Sequence, residues 1–591
     1  MEETKIMKKY KGILIPILVM FVVAAVLDYL LLPAWNLQAG PFWTYIIVIL
    51  LSGYLAGFPL RASKGAGRGP RNIPFQIVNG RIVFIKQEKA PIDHDDPVRN
   101  DPGSRLHRYL LRAIGVIVVL MFLCNFLSGK FFHARAYSSI LKVEEGSTED
   151  IPSVENTGSI ALMDTASASR LGDREIGSLS DVVSQYDIYS GDYVQVNDRG
   201  KPLKVAPLSY AGFFKWYANR DHGIPGYVKV DPVSMSASYV KLENGMTYVP
   251  GAYFNDNLYR RIHMRYRTVM FDTPHFEIDD EGKPWYIASV YEHSIFLFGG
   301  TRVIGAILVD PVTGEMQKCS ISEVPDWADV IFPGDLICEQ YNNYAQLGQG
   351  YINSIIGQKD CRRVTTMSGD DDSVGTADFG YIAKGTDIWI YTGVTSVNGD
   401  SSNIGFIMSN ERTGETRYIS CSGADEFSAM SAAQGEVQEK RYSASFPSLI
   451  LVDGMPTYIM VLKDNAGLVK MYACVNVEQY NIVATAPKQA DCIARYKALM
   501  KGDISGEEAN SDQTNVTGTD PVNSEGWEKK TITVKRMVEI VKNGNTYLYI
   551  SDENNTIYSA RYENVIEMML VHEGDKITIL TDGESFAYPA D

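Results

Sequence analysis

The chain has 591 residues, of which 45% are hydrophobic and 21% charged, and its formal net charge is −16. This length predicts several domains, because one domain typically takes about 100–200 residues. The negative charge argues against a nucleic-acid partner, since phosphate binding requires clustered Lys and Arg. Charge is unevenly placed: residues 1–133 hold 16 Lys and Arg against 8 Asp and Glu, a net charge of +8, whereas the remaining chain is strongly acidic.

Three apolar runs near the N-terminus have the length of a membrane span. They are residues 12–32, 42–58 and 109–128, and a bilayer core takes roughly 20 residues of helix. The first run is long for a secretory signal, and no small-residue cleavage site follows it. The sequence therefore predicts a membrane domain over residues 1–133, with three transmembrane helices in the lipid bilayer, the first two joined as a hairpin by residues 33–41.

The distribution of basic residues predicts the orientation of these spans. Lys residues precede the first span, and Lys and Arg fill the loop at residues 59–107, whereas the connection at residues 33–41 has neither. Loops with excess Lys and Arg remain in the cytoplasm. We therefore expect the N-terminus and the 59–107 loop to be cytoplasmic, and the large C-terminal region to be extracytoplasmic, at the cell membrane.

Two features of the membrane domain stand out. Asn79-Gly80 lies between two β-rich runs within residues 75–85, which predicts a β-hairpin inside the cytoplasmic loop. Asp28 lies in the outer part of the first span. An ionisable residue in a membrane segment is a candidate functional group, but a position near the helix end also lets it reach the interface, and both interpretations stay open.

The region after the spans has mixed α and β patterns. Residues 134–160 are polar and acidic, which predicts a stalk, and residues 161–500 predict a tandem α+β extracytoplasmic domain of mainly antiparallel sheet. Apolar β-branched runs meet a polar residue, a tight turn and a second strand at four places: Asp231, Asp310, Asn410 and Asp464. Such residues favour tight turns because they bond their own backbone. Helical periodicity occurs at residues 207–222, 255–267, 327–344, 424–436 and 486–500.

Two of these turns share a specific motif. Val309 to Glu315 reads VDPVTGE, and Ser409 to Glu415 reads SNERTGE. These hairpins resemble those of PepSY-type domains, in which a helix precedes a hairpin with such a turn. The resemblance implies small α+β modules that bind or inhibit outside the membrane without catalysis of their own. The same turn also occurs in unrelated antiparallel sheets, so generic hairpins remain an alternative.

The C-terminal part predicts a linker and a small domain. Residues 501–526 lack an apolar pattern and are rich in polar residues and Gly, as in a flexible linker. Residues 527–591 contain short β-rich runs at 530–541, 546–551, 556–562 and 576–581. A meander of this length predicts a small all-β barrel of SH3-like or OB-like type.

Motifs with a defined catalytic or metal-binding spacing are missing from the sequence. It has no nucleophile elbow, no H-E-x-x-H and no Walker loop. Ser139 and Lys142 fit S-x-x-K without its companion motifs, and the run 370–372 of three Asp is a Ca²⁺ candidate or a solvated loop. His275 and His293 flank an acidic turn, where acid–base chemistry is conceivable. We predict no catalytic, cofactor-binding or metal-binding residue and no cofactor.

Six cysteines follow the spans, and their spacing leaves disulfide pairing and free buried thiols open: Cys319, Cys338, Cys361, Cys421, Cys474 and Cys492. The chain also has 35 Tyr, a residue that suits binding interfaces as well as cores. We predict a non-catalytic, membrane-anchored extracytoplasmic binding or assembly protein of the cell envelope, with a protein partner. The alternatives are an envelope hydrolase whose site is assembled from distant residues, and a sensor or transport accessory subunit.

Overall fold

The computed structural model describes residues 2–65, 75–78, 81–84, 102–154, 162–179, 182–365, 379–398, 402–510, 527–542, 545–561, 571–581 and 585–588, together with Val565 and Met568. The chain divides into two compact units, residues 1–506 and 507–591. The predicted linker at 501–526 lies largely outside the described residues; of its described part, residues 506–510 form a short helix.

Three long apolar helices open the first unit: α1 (Glu2–Leu31), α2 (Gly40–Gly65) and α3 (Pro102–Leu127). Their apolar windows have mean hydropathies of 2.6, 1.4 and 2.4, because Leu, Ile and Val dominate them without periodic polar positions. The three helices pack on one another. This confirms the three predicted apolar helices, each of which is long and apolar enough to cross a membrane.

The predicted hairpin between the second and third helices is confirmed by its strands. β1 (Phe75–Val78) pairs antiparallel with β2 (Arg81–Phe84). Val78 pairs with Arg81, so two residues connect the strands, as the predicted hairpin requires.

The large domain begins with α4 (Lys130–Ser138), β3 (Val143–Gly146) and α5 (Thr165–Gly177). The elements that follow are β4 (Tyr186–Asp187), β5 (Val194–Asp198), β6 (Lys201–Pro207), β7 (Ser209–Tyr210), α6 (Phe213–Asn219), β8 (Ile224–Asp231) and β9 (Ser236–Met246). The first sheet of the domain is antiparallel in the order β5-β6-β8-β9.

A second antiparallel sheet follows α7 (Leu258–Arg265). Its strands are β10 (Met270–Phe271), β11 (His275–Ile278), β12 (Pro284–Ile295), β13 (Gly299–Val309) and β14 (Met316–Ser320). The first two sheets face each other across one core, which includes Tyr227, Phe276 and Ile307. The other face of the second sheet packs against residues 324–336, including Ala328 and Ile331.

The third and fourth sheets repeat this arrangement. The third is preceded by α8 (Gly334–Leu347) and consists of β3 together with β15 (Arg362–Val364), β16 (Gly380–Lys384), β17 (Asp387–Ser396), β18 (Ser402–Asn410) and β19 (Thr416–Ala424). The fourth follows α9 (Glu426–Glu436) and consists of β20 (Ser443–Ala444), β21 (Ser448–Val452), β22 (Met455–Lys463), β23 (Val469–Asn476) and β24 (Val483–Ala486), before α10 (Gln489–Lys501) and α11 (Gly506–Asn510). These two sheets share a core that includes Tyr391, Phe406 and Tyr458.

The two T-G-E turns have closely similar geometry. Asp310 Oδ1 accepts the Val312 and Thr313 amides at 2.8 and 3.1 Å, and Asn410 Oδ1 accepts the two matching amides at 2.8 and 3.0 Å. Gly314 and Gly414 have φ of +74° and +76°, a region that glycine adopts without penalty. The strands that follow differ, since β14 lies at a sheet edge whereas β19 is flanked by β18 and β3. Whether the units are related repeats stays a prediction.

The predicted stalk at residues 134–160 is wrong for the described part, residues 134–154. β3 pairs in parallel with β19, matching Val143 with Thr416, and Tyr137 on α4 belongs to a small core with Leu347. The acidic composition misleads because Glu144 and Glu145 point to solvent from an edge strand. The large domain therefore begins directly after the last apolar helix.

The predicted helix at residues 207–222 is also shorter than expected. Pro207 ends β6, and Ser209 and Tyr210 form β7, so the helix is confined to α6. Leu208 and Tyr210 are buried whereas the intervening Ser209 is only half-buried, which is the alternation of a strand. The apolar residues at the start of the segment therefore belong to strands and not to the predicted helix.

The described residues of the second unit form two antiparallel three-stranded sheets. The all-β character that the sequence predicts is confirmed, whereas closure into a barrel is not shown. One has the order β25-β29-β30 and the other β26-β27-β28, with β25 (Glu528–Thr533), β26 (Arg536–Lys542), β27 (Asn545–Ser551), β28 (Ile557–Arg561), β29 (Lys576–Thr581) and β30 (Phe586–Ala587). The single strand predicted at residues 530–541 divides at Val534 and Lys535. The Val534 amide donates to Asp575 O at 2.9 Å, and the Lys535 amide donates to Ser551 O at 2.8 Å. The chain passes from one sheet to the other there.

Candidate functional site at the junction of the membrane helices and the large domain

The loop between α1 and α2 is bound to the large domain by backbone and amide hydrogen bonds. The Trp35 amide donates to Arg267 O at 2.7 Å, and Asn36 Nδ2 donates to Thr268 O at 3.1 Å. Gln38 bonds the backbone of His293 twice: its Nε2 donates to the carbonyl at 2.8 Å, and its Oε1 accepts the amide at 3.3 Å. The loop is thereby held against both the segment after α7 and strand β12.

Asp28 is the acceptor at the centre of this junction. Its carboxylate accepts Trp35 Nε1 at 2.9 Å and Arg267 Nη1 at 3.1 Å, and His263 Nε2 lies 3.8 Å away. The Arg267 guanidinium also lies over the Trp35 ring, 5.3 Å from its centroid. Asp28 therefore lies at the domain-side end of α1 and forms an ion pair with Arg267 of the large domain. This agrees with the interpretation that it reaches the interface from near the helix end.

Arg260 makes a second link to the same end of α1. Its Nε and Nη2 donate to Tyr29 O at 3.3 and 3.2 Å, and its guanidinium stacks over the Tyr29 ring at 4.0 Å. Carbonyls at a helix C-terminus have no partner within the helix and carry partial negative charge, so cations bind there favourably. Arg260 and Arg267 therefore fix the orientation of α1 relative to α7.

A cavity of about 1220 Å³ lies at this junction. One wall comes from the membrane hairpin, at residues 29–34 and 39–41. The other comes from the large domain, at residues 250–254, 257, 259, 260, 263 and 269–273 and along β12 and β13. Ligand pockets commonly measure about 300–1,000 Å³, so this cavity has room for a lipid-sized molecule. Most wall residues are apolar or aromatic, and the polar ones that argue for a ligand are Tyr259, His263, Tyr291, His293 and Thr301.

Few side chains that line the cavity carry a charge. Burial lowers the pKa of His263 and of His293 below the usual value, so both rings are neutral at neutral pH. Burial raises the pKa of the Tyr291 phenol, which keeps it protonated. Arg260 and Asp272 are the formally charged side chains in the lining, and Asp272 is exposed at the rim. The walls suit an apolar group, with neutral hydrogen-bonding groups to orient a polar one.

The structure does not bring the candidates for chemistry from the sequence together: His293 lines the cavity, whereas His275 and Ser139 do not. His275 pairs with Glu277, Nε2 to Oε1 at 2.9 Å, whereas His293 lies against Thr301, Nδ1 to Oγ1 at 3.4 Å. The Ser139 hydroxyl donates to Ala136 O at 2.9 Å, within a helix end. The predicted Ca²⁺ candidate at residues 370–372 lies outside the described residues. Within the part of the chain that the structure describes, no group of three or more potential ligands could hold a metal ion.

Buried carboxylates converge elsewhere, in the interior where the first three sheets meet. Glu277 accepts the amides of Asp329 and Val330 at 2.8 and 2.9 Å, and Asp329 accepts the Asn197 amide at 2.6 Å. Burial raises the pKa of Asp329 and of Glu411 well above the usual carboxyl range. Glu277, Asp329 and Glu411 are 0%, 1% and 2% exposed. They hold the segment before α8 in place and are not on the cavity wall.

The sequence carried one overlooked signal for the junction. The stretch Arg260 to Arg267 is a basic island within an otherwise acidic domain, with Arg at 260, 261, 265 and 267. A cluster of positive side chains is stabilised by negative or partially negative groups. Here the Asp28 carboxylate binds Arg267, and the Tyr29 carbonyl binds Arg260. Sequence alone could not name that partner, because the contact joins residues far apart in the chain.

Comparisons with known proteins leave the family open. No family model matches the chain, and no curated protein matches it. Among solved structures, an exo-1,5-α-L-arabinanase from a bovine ruminal metagenomic library is 12% identical, covering 48% of this chain and 73% of that chain at a TM-score of 0.16. A levansucrase variant from B. megaterium is 8% identical, covering 76% of this chain and 96% of that chain at a TM-score of 0.19. Similarity this low carries no argument about fold or function.

Proposed function

We propose that this is a membrane-anchored binding protein of the cell envelope whose ligand occupies the junction cavity. The observation that carries the proposal is that the chain's own membrane hairpin builds one wall of a cavity of about 1220 Å³. A ligand there contacts the ends of two membrane helices and the large domain together. An amphipathic molecule of the membrane, with an apolar part and a small polar end, fits these walls.

The polar groups of the cavity support binding rather than catalysis. His263 and His293 are neutral, and the convergent carboxylates are buried away from the wall. A hydrolase needs a nucleophile or activated water beside a general base, and no described contact favours that alternative. A protein partner in the envelope, and kinship with PepSY-type modules, remain part of the proposal as expectations from the sequence.

The variant Thr301→Trp tests this proposal, because Thr301 on β13 lines the cavity and an indole there fills part of it. The matched control is Arg302→Trp: Arg302 is the adjacent residue, exposed on the opposite face of the strand. Full-length protein is purified from its own membrane, and its solvent extract is analysed by mass spectrometry. We expect an amphipathic molecule from the parent and from Arg302→Trp, and about tenfold less from Thr301→Trp.

Two results would contradict the proposal. Equal retention by all three proteins would place the molecule outside the cavity. An extract from the parent protein that contains no retained molecule would mean that the cavity is not a binding site for membrane compounds.

We also propose that the N-terminus is cytoplasmic and the large domain extracytoplasmic, on the positive-inside bias of the loops. In a Cys124→Ala background, the remaining cysteines of the large domain are buried. A cysteine replacing Ser511 should then react with an impermeant thiol reagent in intact cells. A cysteine replacing Ser63 should react only after the cells are opened, and the reverse pattern would overturn the orientation.

A further inference from the structure

Two exposed apolar patches flank the membrane helices on the side of the large domain. The first, called the aromatic patch, consists of Phe213, Phe214, Tyr217, Tyr253 and Phe254. Four of these rings contact Trp216, and the fifth, Phe214, contacts Phe213. Phe214 is 83% exposed. The second, called the isoleucine patch, consists of Phe131, Phe132, Ile352, Ile355 and Ile356, and its Ile356 is 80% exposed. Soluble surfaces rarely leave contiguous apolar side chains of this size uncovered.

The aromatic patch is tied to the domain-side end of α1. Arg260 bonds the carbonyl of Tyr29 through Nε and Nη2, and its Nη1 bonds the carbonyl of Phe254. One guanidinium therefore spans from the last turn of a membrane helix to the patch. The Phe254 ring in turn lies 6.4 Å from that of Phe213. The patch must lie near the level at which α1 leaves the bilayer.

The isoleucine patch is tied in the same way to the end of α3. Phe131 and Phe132 follow that helix directly, and the Phe131 ring contacts the Tyr351 ring at 5.5 Å. Ser128 at the end of the span is held by the large domain, because its Oγ accepts the Phe298 amide at 3.1 Å. The neighbouring Phe296 is 54% exposed at the tip of the β12–β13 hairpin. Apolar side chains thus surround the exit points of two spans.

The composition of both patches matches a membrane interface. Aromatic residues concentrate at the level of the lipid headgroups, and amphipathic elements bury apolar faces there with basic residues beside them. Arg220 lies 4.6 Å over the Tyr217 ring, at the margin of the aromatic patch. Lys130 begins α4, beside Phe131. A protein partner would not require the patches to gather at the helix ends, whereas a bilayer does.

We propose that the aromatic patch, the isoleucine patch and Phe296 lie in the headgroup region of the leaflet from which α1 and α3 emerge. The large domain then rests on the bilayer along two lines of contact, and its position is set by lipid as well as by the hairpin loop. This contact does not require a ligand in the junction cavity, although Tyr253 and Phe254 also line that cavity.

The test uses the full chain in nanodiscs of phosphatidylethanolamine and phosphatidylglycerol, with Cys124→Ala as background. Single cysteines replace Phe214, Ile356 and, as the control, Leu468, which is 45% exposed at the β22–β23 turn of the fourth sheet. Each carries an environment-sensitive nitrobenzoxadiazole dye, and lipids bearing a nitroxide at a shallow or a deep chain position are added.

We expect blue-shifted emission at positions 214 and 356 and quenching several-fold stronger than at position 468, with the shallow nitroxide more effective than the deep one. Quenching at positions 214 and 356 equal to that at 468 would overturn the proposal. A blue shift without quenching by lipid nitroxides would also overturn it, because it would show that a protein or a second copy of the chain covers the patches.

Discussion

The Glu426→Gln variant is expected to gain about 3 kcal/mol of unfolding free energy over the parent protein as the pH rises from 4 to 8. Glu426 is 0% exposed, and its carboxyl accepts the Gly393 amide at 2.5 Å and the Thr365 hydroxyl at 2.9 Å. Burial raises its pKa to about 7. Glutamine reproduces the neutral acid and cannot ionise, so the variant avoids the cost of a buried charge.

The sign follows from the direction of the shift. The folded-state pKa of Glu426 is raised above the ordinary value of 4.5, so its protonated form stabilises the folded state. That contribution is complete below about pH 4.5, declines as the pH rises and is lost above about pH 7. Asp329 and Glu411 are shifted in the same direction, which steepens the decline in the parent protein without altering the difference due to Glu426.

Urea unfolding of the full chain, followed by tryptophan fluorescence at several pH values, measures this difference. The control is Glu439→Gln, because Glu439 is exposed on the segment after α9 and its neutralisation should change little. A constant gap between Glu426→Gln and the parent from pH 4 to pH 8 would contradict a Glu426 carboxyl that titrates in the folded state with a pKa of about 7.

The Asp28→Ala variant is expected to weaken the contact between the hairpin loop and the large domain by about 2 kcal/mol. The change removes the acceptor of Trp35 Nε1 and the counter-ion of Arg267, and a hydrogen bond to a charged group contributes about 1.5–3 kcal/mol. Arg267 is 38% exposed in its side chain, so solvent screens part of the ion pair and keeps the effect below that of a fully buried one.

Hydrogen exchange of the loop reports this loss. The Trp35 amide is bonded to Arg267 O, so its exchange follows the opening of the junction. A loss of about 2 kcal/mol should accelerate exchange about 30-fold. The control Asp221→Ala removes an exposed carboxylate that lies 3.7 Å from Arg220, and exchange in the loop should stay as in the parent. Unchanged exchange in Asp28→Ala would mean that the junction does not depend on this carboxylate.

Local signals in the sequence predicted local structure well. The apolar runs became helices with nearly the expected bounds, and Asn79-Gly80 lies between strands in the expected register. The positive φ of Gly314 and Gly414 follows from the turns alone, because an Asp or Asn followed by a T-G-E sequence restricts the backbone over a few residues. Each of these features is determined by neighbours in the chain.

Features that depend on distant partners were missed. β3 is a strand because β19 pairs with it, although its own acidic sequence indicates a stalk. Asp28 is an anchor because α7 brings Arg267 to it, and its own surroundings in sequence are an apolar helix. The cavity needs walls from the hairpin and from β12 and β13 at once, so no single segment carries its signature.

Cross-linking of the hairpin loop to the large domain tests the central claim, that the junction exists in the membrane-embedded protein. Cysteines replace Asn36 and Thr268, whose Nδ2 and carbonyl oxygen are 3.1 Å apart, in the Cys124→Ala background. Mild oxidation in native membranes should join them in most molecules, detected by mass spectrometry of the linked peptides. The pair Asn36→Cys and Leu468→Cys should stay unlinked. Failure of the first pair to link, or equal linking of both pairs, would contradict a domain docked on its own membrane helices.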